Sequence, residues 1–372
     1  MKKAPIIWST TILFSLTFLV AAVAVPWYAI AVGFGWFEII ATILALGYCG
    51  MSITAGYHRL WAHKTYDAHP ILQWVFAIGG AFALQNSALH WASDHRDHHR
   101  HVDNNDKDPY SAGRGFWYSH IGWMLRDYQG EVYNDYANVR DLQKNHILAW
   151  QHKHYLLLAI ATNFGIPLFL GWLSGNMLGM ILSVGVLRLV LSHHFTFFIN
   201  SLAHIWGKQP YTDSNSARDN GLLAFLTYGE GYHNYHHIFE YDYRNGIRWW
   251  QFDPTKWLIK SASFIGLTRN LRTVPEERIA IAKIKMQLQR AKEKAQLLPN
   301  AEQLLQMLER EYELLLARIQ DYYQLKKQFM VQKKQALIEQ CQTAAFKQRY
   351  REFKFHLQQQ QQHWQRLTAA FH

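Results

Sequence analysis

The stretch "APIIWSTTILFSLTFLVAAVAVPWYAIAVGFGWFEIIATILALGYCGMSIT", residues 4–54, decides the fold of this chain. Four ionisable side chains interrupt its apolar and small polar residues, those of Tyr28, Glu38, Tyr48 and Cys49. A helix needs about 20 consecutive apolar residues to cross a bilayer. The stretch is therefore long enough for two membrane spans, which we expect at about residues 6–28 and 36–55, with a break near "VGFGW" at 32–36.

The whole chain is basic and rich in aromatic residues. It has 372 residues, a formal charge of +11, 49% hydrophobic residues and 15 tryptophans. This composition is typical of a nucleic-acid-binding protein or of a membrane protein with a basic cytoplasmic face, and the apolar N-terminal stretch favours the membrane. A cleaved signal peptide is disfavoured because the first apolar run is too long and leads directly into a second one. The two cysteines, Cys49 and Cys341, are too far apart in sequence and in setting to indicate a disulfide framework or a thiolate metal site.

Two later apolar stretches predict a third span at 155–173 and a fourth at 177–199. Only a few residues connect the first span to the second and the third to the fourth, so that each pair forms an antiparallel helical hairpin. A further apolar segment, 69–95, contains Gln85, Asn86 and His90 in its second half. We expect it to be a helix that dips into the membrane surface or is covered by protein.

Lysine and arginine residues predict the orientation of the spans. They occur at the N-terminus, in 57–154 and after 204, and they are absent from the short connections. The positive-inside rule places these basic regions in the cytoplasm, which is the inner face of the inner membrane if the source is bacterial. An even number of spans agrees with two cytoplasmic termini.

Residues 275–372 differ in kind from the rest of the chain. They are rich in Gln, Lys, Glu, Leu and Ala, and apolar residues recur there at helical spacing: Leu304, Leu308, Tyr312, Leu315, Ile319 and Tyr322. We expect two long amphipathic helices, arranged as a coiled-coil-like hairpin, followed by the low-complexity run "QQQQQ" at 358–362. This extension is either a solvated helical tail or a module for partner binding or self-association. Its acidic residues are interleaved with the basic ones, which argues against binding of nucleic acid.

Histidines cluster in four short segments, which are "HRLWAH" (58–63), "DHRDHHRH" (94–101), "NSLAH" (200–204) and "HNYHH" (233–237). Positions i, i+3 and i+4 share one face of a helix, and the second and fourth segments each have three histidines at that spacing. His58 and His63 are five residues apart, about 140° around an ideal helix, and converge only if the helix ends or bulges between them.

A metal centre explains these clusters better than separate structural roles do. A single histidine is usually a hydrogen-bonded core or surface residue, but packed imidazoles on one side of a membrane would be costly without a metal to take their lone pairs. One zinc or iron ion needs about four to six ligands, so that nine candidates suggest two metals. No cysteine lies near and no HExxH motif is present, which excludes a zinc ribbon and the usual metalloprotease site. Imidazole suits iron, zinc, copper and nickel alike, but a pair of metals beside apolar helices points to lipid oxidation by iron and oxygen.

The segments "ITAGYHRLWAH", "HRDHH", "DPYSAGRGFWYSHIGW", "NSLAH" and "GEGYHNYHH" closely resemble the histidine boxes and intervening sequence of the integral-membrane fatty acid desaturases. The closest branch is the stearoyl-CoA, or acyl-CoA Δ9, desaturases, and the resemblance covers roughly residues 30–270. It implies a desaturase domain at 1–270 with four transmembrane helices under a cytoplasmic helical cap, and a separate extension at 275–372. The metal ligands implied for two iron ions are His58, His63, His95, His98, His99, His204, His233, His236 and His237, with Asn200 acting through water.

The resemblance also implies substrate contacts. Gln85, Trp91 and Thr196 fall where the family places the residues at the bend of its acyl tunnel. The implied contacts to a coenzyme A headgroup are Asp94, Arg96 and Arg114, with Lys107 as a further candidate. Animal relatives carry arginine just before the aspartate that precedes the second box, where this chain has Ser93. The choice between an acyl-CoA and an acyl-lipid substrate therefore stays open.

The activity implied is oxygen-dependent insertion of a cis double bond, at the Δ9 position, into a saturated acyl chain. Two electrons must be supplied, and no His-Pro-Gly-Gly haem signature occurs in the sequence, which implies a separate ferredoxin or cytochrome b5 as donor. The basic cap suits an acidic partner of this kind. The nearest alternative is a membrane di-iron hydroxylase of alkanes or fatty acyl chains. An alternative of another class is a membrane-anchored interaction protein whose metals are structural.

Overall fold

The computed structural model describes residues 4–130, 133–336 and 343–369, and Cys341 lies outside them. Helices make up nearly all of the regular structure in these residues. The two strands are short, and Asp67–Ala68 pairs antiparallel with Thr268–Arg269. The prediction of an all-α fold is confirmed.

Four helices are long and apolar enough to cross a membrane, as predicted, and they are Trp8–Ala31, Trp36–Ala62, Tyr155–Ser174 and Met177–Ile205. The second and fourth spans extend beyond the predicted ends at 55 and 199. Their last turns carry polar residues, but these turns are covered by protein: every residue of Ser52–Ala62 is buried. The chain is therefore an integral membrane protein with four spans.

The two hairpin connections lie side by side. Tyr28, near the end of the first span, donates a hydrogen bond of 2.9 Å to the side-chain oxygen of Asn176, which connects the third span to the fourth. The amide nitrogen of Asn176 donates in turn to Glu38 at 2.8 Å. Glu38, the one acid of the N-terminal stretch, is buried. This bond gives its carboxyl group a polar partner at the turns, away from the histidine segments.

The remaining helices of the first unit form the cap around the opposite ends of the spans. Their bounds are Pro70–Phe82, Ala88–His101, Phe116–His120, Arg140–Gln143, His146–Lys153, Gly221–Leu226, His233–Ile238 and Pro254–Phe264, with 3₁₀ turns at Ala112–Arg114, Gly122–Met124 and Ala137–Val139. The first unit comprises Met1–Gln209 and Ser214–Thr273. Its main core packs the end of the second span against the first two cap helices, and it includes Tyr57, Trp61, Phe76, Phe82, Ala92 and Ile147.

The apolar segment 69–95 forms two helices rather than one. A turn separates Pro70–Phe82 from Ala88–His101, and Leu84 and Asn86 adopt positive φ values of 54° and 71° there. At 13 residues the first of these helices is too short to span a membrane, as expected.

Arg188 of the fourth span is fully buried and donates hydrogen bonds of 2.7 Å to the carbonyl oxygen of Phe82 and of 3.0 Å to the side chain of Asn163. These bonds satisfy a charge that would otherwise be costly within a span.

The second unit comprises Pro210–Asp213 and Val274–His372. Its described part contains three helices, Glu276–Ala295, Ala301–Ala336 and Thr343–Ala369, so that the prediction of two helices is wrong. Pro299 lies in the break between the first two, and residues 337–342, between the second and the third, lie outside the described part. A common core joins the three helices and includes Ile284, Leu315, Ile319, Tyr322, Leu357 and Trp364. The apolar stripe predicted at 304–322 thus packs within this unit.

Candidate metal centre

A π-helix positions the first two histidines of the site. The second span changes from α-helix to π-helix at Ser52, and the peptide N–H of His63 donates 3.1 Å to the carbonyl oxygen of His58. A π-turn places residues i and i+5 almost above each other. The rings of His58 and His63 are consequently 4.8 Å apart, measured between centroids. Of the two conditions under which these residues could converge, an end of the helix or a bulge, the structure has the bulge.

The other histidines come from the helices Ala88–His101, Leu202–Ile205 and His233–Ile238. Ser87 begins the first of these helices, where its hydroxyl accepts a hydrogen bond from the peptide N–H of His90. Before the third, the chain passes tightly at Gly231: a Cβ atom there would lie 2.2 Å from the peptide nitrogen of Ala224. Only glycine allows this approach, which accounts for the second glycine of "GEGYHNYHH".

The fold gathers nine histidines into two groups, within each of which one ring nitrogen per residue lies within 4.8 Å of all the others. The five-histidine group contains His58, His63, His95, His99 and His236. The four-histidine group contains His98, His204, His233 and His237. Two of these helices contribute three histidines each, and on both the two that are four residues apart join one group and the third joins the other. Every histidine singled out in the sequence belongs to one of the groups.

The five-histidine group cannot satisfy its ring nitrogens by hydrogen bonding alone. The Nε2 atom of His236 lies 3.0 Å from Nε2 of both His58 and His99, and Nε2 of His63 lies 2.8 Å from that of His95. Acidic oxygens face Nδ1 of His58 at 2.9 Å and Nδ1 of His99 at 3.2 Å, which favours the proton on Nδ1 and leaves lone pairs on Nε2. His236 has at most one Nε2 proton for two such lone pairs.

The four-histidine group has the same property. Nδ1 of His98 donates to Asp108 at 2.9 Å, and Nδ1 of His204 lies 2.8 Å from the hydroxyl of Ser216, whose own proton goes to Asp103. The Nε2 atoms of His98 and His204 therefore carry lone pairs as well. Further Nε2 atoms face each other in this group at 3.0–3.3 Å.

These separations fit bound metal ions. A ligand nitrogen lies about 2.1 Å from a first-row metal ion, so that nitrogens at right angles around one ion are about 3.0 Å apart. The closest pairs of Nε2 atoms within each group are 2.8–3.3 Å apart. A cation at the centre of each histidine group would accept the Nε2 lone pairs that hydrogen bonds leave unmatched. The histidines present therefore fit the two iron ions that the resemblance implies.

The protein keeps these imidazoles neutral, which is the form that binds metal. Burial, and then the neighbouring histidines, hold the pKa well below its ordinary value in His63, His95, His233, His236 and His237. Burial also lowers the pKa of His99 to about 4, although Glu240 acts in the opposite direction.

Of the three expected bend residues, two contact each other and the third contacts the five-histidine group. The side-chain amide of Gln85 donates 2.8 Å to the hydroxyl of Thr196, which joins the turn before helix Ala88–His101 to the fourth span. Trp91 stacks on His95, with ring centroids 4.8 Å apart. Asn200 is half-buried four residues before His204, and its amide makes no hydrogen bond within the described part of the chain.

The expected headgroup contacts are in varied settings. Asp94 is buried and accepts a short hydrogen bond from Tyr133, and burial raises its pKa to about 7. Arg96 donates to Asp141 and to the carbonyl oxygens of Trp61, Ala62 and Asn138, so that its guanidinium group is used within the protein. Arg114 is exposed and lies over the ring of Tyr118 at 3.8 Å, and Lys107 is also exposed.

Three acidic residues contact the grouped histidines but were not singled out in the sequence: Asp108, Glu230 and Glu240. Asp108 and Glu230 belong to the segments "DPYSAGRG" and "GEGYHNYHH", which resemble the desaturases. That position was the one feature of the sequence that could have identified them as part of the site. Nothing in their spacing reveals which histidine they meet, because Glu230 and Glu240 are more than 100 residues from their partners and a loop separates Asp108 from His98.

Comparison with known proteins agrees with this architecture. A family model described as fatty acid desaturase matches residues 34–263. A probable acyl-CoA desaturase of Schizosaccharomyces pombe is 47% identical over 242 residues, which are 65% of this chain and 50% of that protein. Acyl-CoA desaturase 1 of Saccharomyces cerevisiae is 43% identical over 246 residues, 66% of this chain and 48% of that protein. An sn-2 palmitoyl-lipid 9-desaturase of a Nostoc species is 33% identical over 276 residues, 73% of this chain and 92% of that protein.

The chain thus spans about half the length of the two yeast relatives. The segment matched by the family model contains the last three spans and all nine grouped histidines. The chain belongs to the fatty acid desaturase family.

Proposed function

We propose that the chain is an oxygen-dependent desaturase that inserts a cis double bond, at the Δ9 position, into a saturated fatty acyl chain. The observation that carries the proposal is the pair of neutral histidine groups, five and four residues strong, at the protein-covered ends of the second and fourth spans. Membership of the desaturase family supports the same reaction.

Nine histidines would hold two iron ions, with Asn200 contributing through water beside His204. Bound iron supplies the activation of oxygen that removal of hydrogen from an unactivated hydrocarbon chain requires. In balance, the chain loses two hydrogens, and oxygen takes these with two electrons and two protons to leave as two waters. Imidazole binds zinc as readily as iron. The choice of iron therefore rests on the proposed reaction and not on the ligands.

The protein's own residues select the carbon atoms and the geometry. We place the bend of the acyl path at the hydrogen bond between Gln85 and Thr196 and at Trp91, which covers the face of His95. An acyl chain that bends there presents one pair of carbons to the histidine groups, so that position along the chain is a matter of distance. A bent path also fits the cis arrangement as it develops, which favours that product.

We propose an acyl-CoA as the substrate and an acyl lipid as the alternative. Two relatives named acyl-CoA desaturases support the first, and the relative named as an sn-2 palmitoyl-lipid 9-desaturase supports the second. We also propose that both termini and the histidine groups face the cytoplasm, where a ferredoxin or cytochrome b5 would deliver electrons to the basic cap. The distribution of lysine and arginine supports this orientation.

Expression in a cell that lacks its own desaturase tests the proposal. Fatty acid analysis should reveal a new cis-9 monounsaturated chain. An alcohol in its place would indicate the hydroxylase alternative, and an unchanged lipid profile with membrane-inserted, metal-loaded protein would favour the interaction protein. Feeding purified protein with acyl-CoA or with phospholipid, each with a reducing system, separates the two substrate classes.

A further inference from the structure

Each histidine group contacts one deeply buried carboxylate. In the five-histidine group, Oε2 of Glu230 lies 2.9 Å from Nδ1 of His58, and the two side chains are 2% and 5% exposed. In the four-histidine group, Oδ1 of Asp108 accepts from Nδ1 of His98 at 2.9 Å, and these side chains are 1% and 2% exposed. Each group therefore has its own anion in a place where water screens little of the charge.

Glu230 is held in position from the side opposite to His58. Its Oε1 atom accepts from Nε and Nη2 of Arg59 at 3.1 and 2.9 Å, and its Oε2 atom accepts from Asn245 at 2.6 Å. Arg59 is itself fixed by Asp253 and by the carbonyl oxygen of Tyr243.

Asp108 is fixed by the backbone instead. The peptide N–H groups of Asp103 and Tyr110 donate to its two oxygens at 3.0 and 3.2 Å. These bonds leave Oδ1 aimed at His98. The two carboxylates are thus held by unrelated means, one by a buried arginine and the other by a turn.

A third carboxylate, that of Glu240, offers a contrast. It lies 3.2 Å from Nδ1 of His99 and 3.7 Å from Nδ1 of His63, but its side chain is 54% exposed. Solvent screens such a contact, and exposed ion pairs contribute little. Glu240 is therefore a matched comparison for the two buried anions.

We propose that Glu230 and Asp108 are positioning residues, each of which fixes the proton and orientation of one histidine and thereby strengthens metal binding in one group alone. A carboxylate that faces one ring nitrogen of a metal-binding imidazole favours the proton on that nitrogen, keeps the lone pair on the other nitrogen and makes that other nitrogen more basic. Their loss typically weakens metal affinity by about 10- to 100-fold. The inference rests on the proposed function, because it requires that both groups bind metal.

The test compares iron retention in the full-length protein and in two isosteric variants, Glu230→Gln and Asp108→Asn. Protein purified in detergent and loaded with iron is exposed to rising chelator concentrations, and bound iron is counted by elemental analysis. Mössbauer spectra of isotopically enriched protein identify which of two sites is lost. We expect each variant to lose one iron at about 10- to 100-fold lower chelator activity, with a different spectral component lost in each.

Two controls separate positioning from general damage. Glu240→Gln should retain iron within about twofold of the unchanged protein, since its contact is exposed. Asp242→Asn removes a buried carboxylate that accepts from Tyr235 and Arg244, and should retain both irons. If Glu230→Gln fails to fold, Asn245→Ala should show the same selective loss of iron to a smaller degree. This variant removes the hydrogen bond that holds Oε2 of Glu230, the oxygen that faces His58.

Retention of both irons by both variants would overturn the proposal, as would loss of both irons together in either one. Failure of the unchanged protein to bind iron would instead contradict the proposed function. Selective loss in the two variants supports the positioning role even if the product of the enzyme turns out not to be an alkene.

Discussion

His58 and His63 face the same space, with ring centroids 4.8 Å apart, because the backbone between them is π-helical. In an α-helix of the same sequence their side chains would point about 140° apart. A π-helix of 11 residues is unusual, and such segments occur mostly at functional sites. The geometry of the first histidine segment is therefore a property of the backbone as much as of the side chains.

Replacement of His98 by alanine should abolish the new double bond and lower the iron content by one ion per chain, because His98 is one of only four members of its group. Membrane insertion should be unchanged, since His98 lies outside the spans. Fatty acid analysis and elemental analysis check both expectations. His101→Ala is the matched control, because His101 is on the same helix but in neither group. Unchanged unsaturation in His98→Ala would remove this residue from the site.

Thr196→Val removes the hydroxyl that accepts from Gln85 while keeping nearly the same volume. One hydrogen bond contributes about 1 kcal/mol, so we expect activity to fall by about fivefold and a second double-bond position to appear. Mass spectrometry of derivatised monounsaturated chains locates the double bond. Thr10→Val, near the start of the first span, is the control and should leave the product unchanged. A single Δ9 product at full rate from Thr196→Val would show that this contact does not shape the acyl path.

Stability of the metal-free protein should fall as pH decreases from about 6.5 to about 4. A histidine has an ordinary pKa near 6.5, whereas burial lowers that of His99 to about 4. The unfolded chain therefore takes up protons in this range before the folded chain does, which favours unfolding. His99 alone accounts for about 3 kcal/mol, and the more strongly depressed histidines add to it. Melting temperatures in detergent between pH 4 and 8 measure the effect, and bound metal should move the loss to lower pH. A melting temperature independent of pH would contradict neutral, buried imidazoles.

Deletion of residues 275–372 should leave desaturation intact, because all nine grouped histidines precede them. Analysis of the fatty acids made by the truncated chain is the measurement. Loss of desaturation together with normal membrane insertion would show that the helical extension is part of the enzyme. Size-exclusion chromatography of the same pair of proteins reveals whether the extension mediates self-association.

Trp364→Ala should unfold the three-helix unit selectively, since Trp364 is 1% exposed in its core. Such a truncation costs about 3–5 kcal/mol. Limited proteolysis should then cut within 274–372 while the membrane part stays protected. Phe355→Ala, at a side chain that is 56% exposed, is the control and should resist proteolysis as the unchanged protein does.

The hydropathy of the sequence was sufficient for the four spans, because a bilayer accepts only helices of a certain length whose side chains are apolar. Helical spacing was likewise sufficient for the histidines of the second and fourth segments, whereas His58, His63 and His204 were identified as ligands through the resemblance to the desaturases. The third helix of the C-terminal unit was missed, because residues 337–342 contain no proline or glycine to indicate where one helix ends and another begins. Glu38 and Arg188 also found their partners, Asn176 and Asn163, only through the packing of spans that are distant in sequence.

Residue types and spacing were enough to identify most of the site, because they follow from the chemistry of imidazole and the periodicity of the helix. The division that gives His95 and His99 to one group and His98 to the other depends on tertiary packing. The assignment of Glu230 to His58 and of Asp108 to His98 is equally a result of the fold. The physical reason is that a helix fixes directions around its own axis, whereas the point at which side chains from several helices converge depends on how those helices pack.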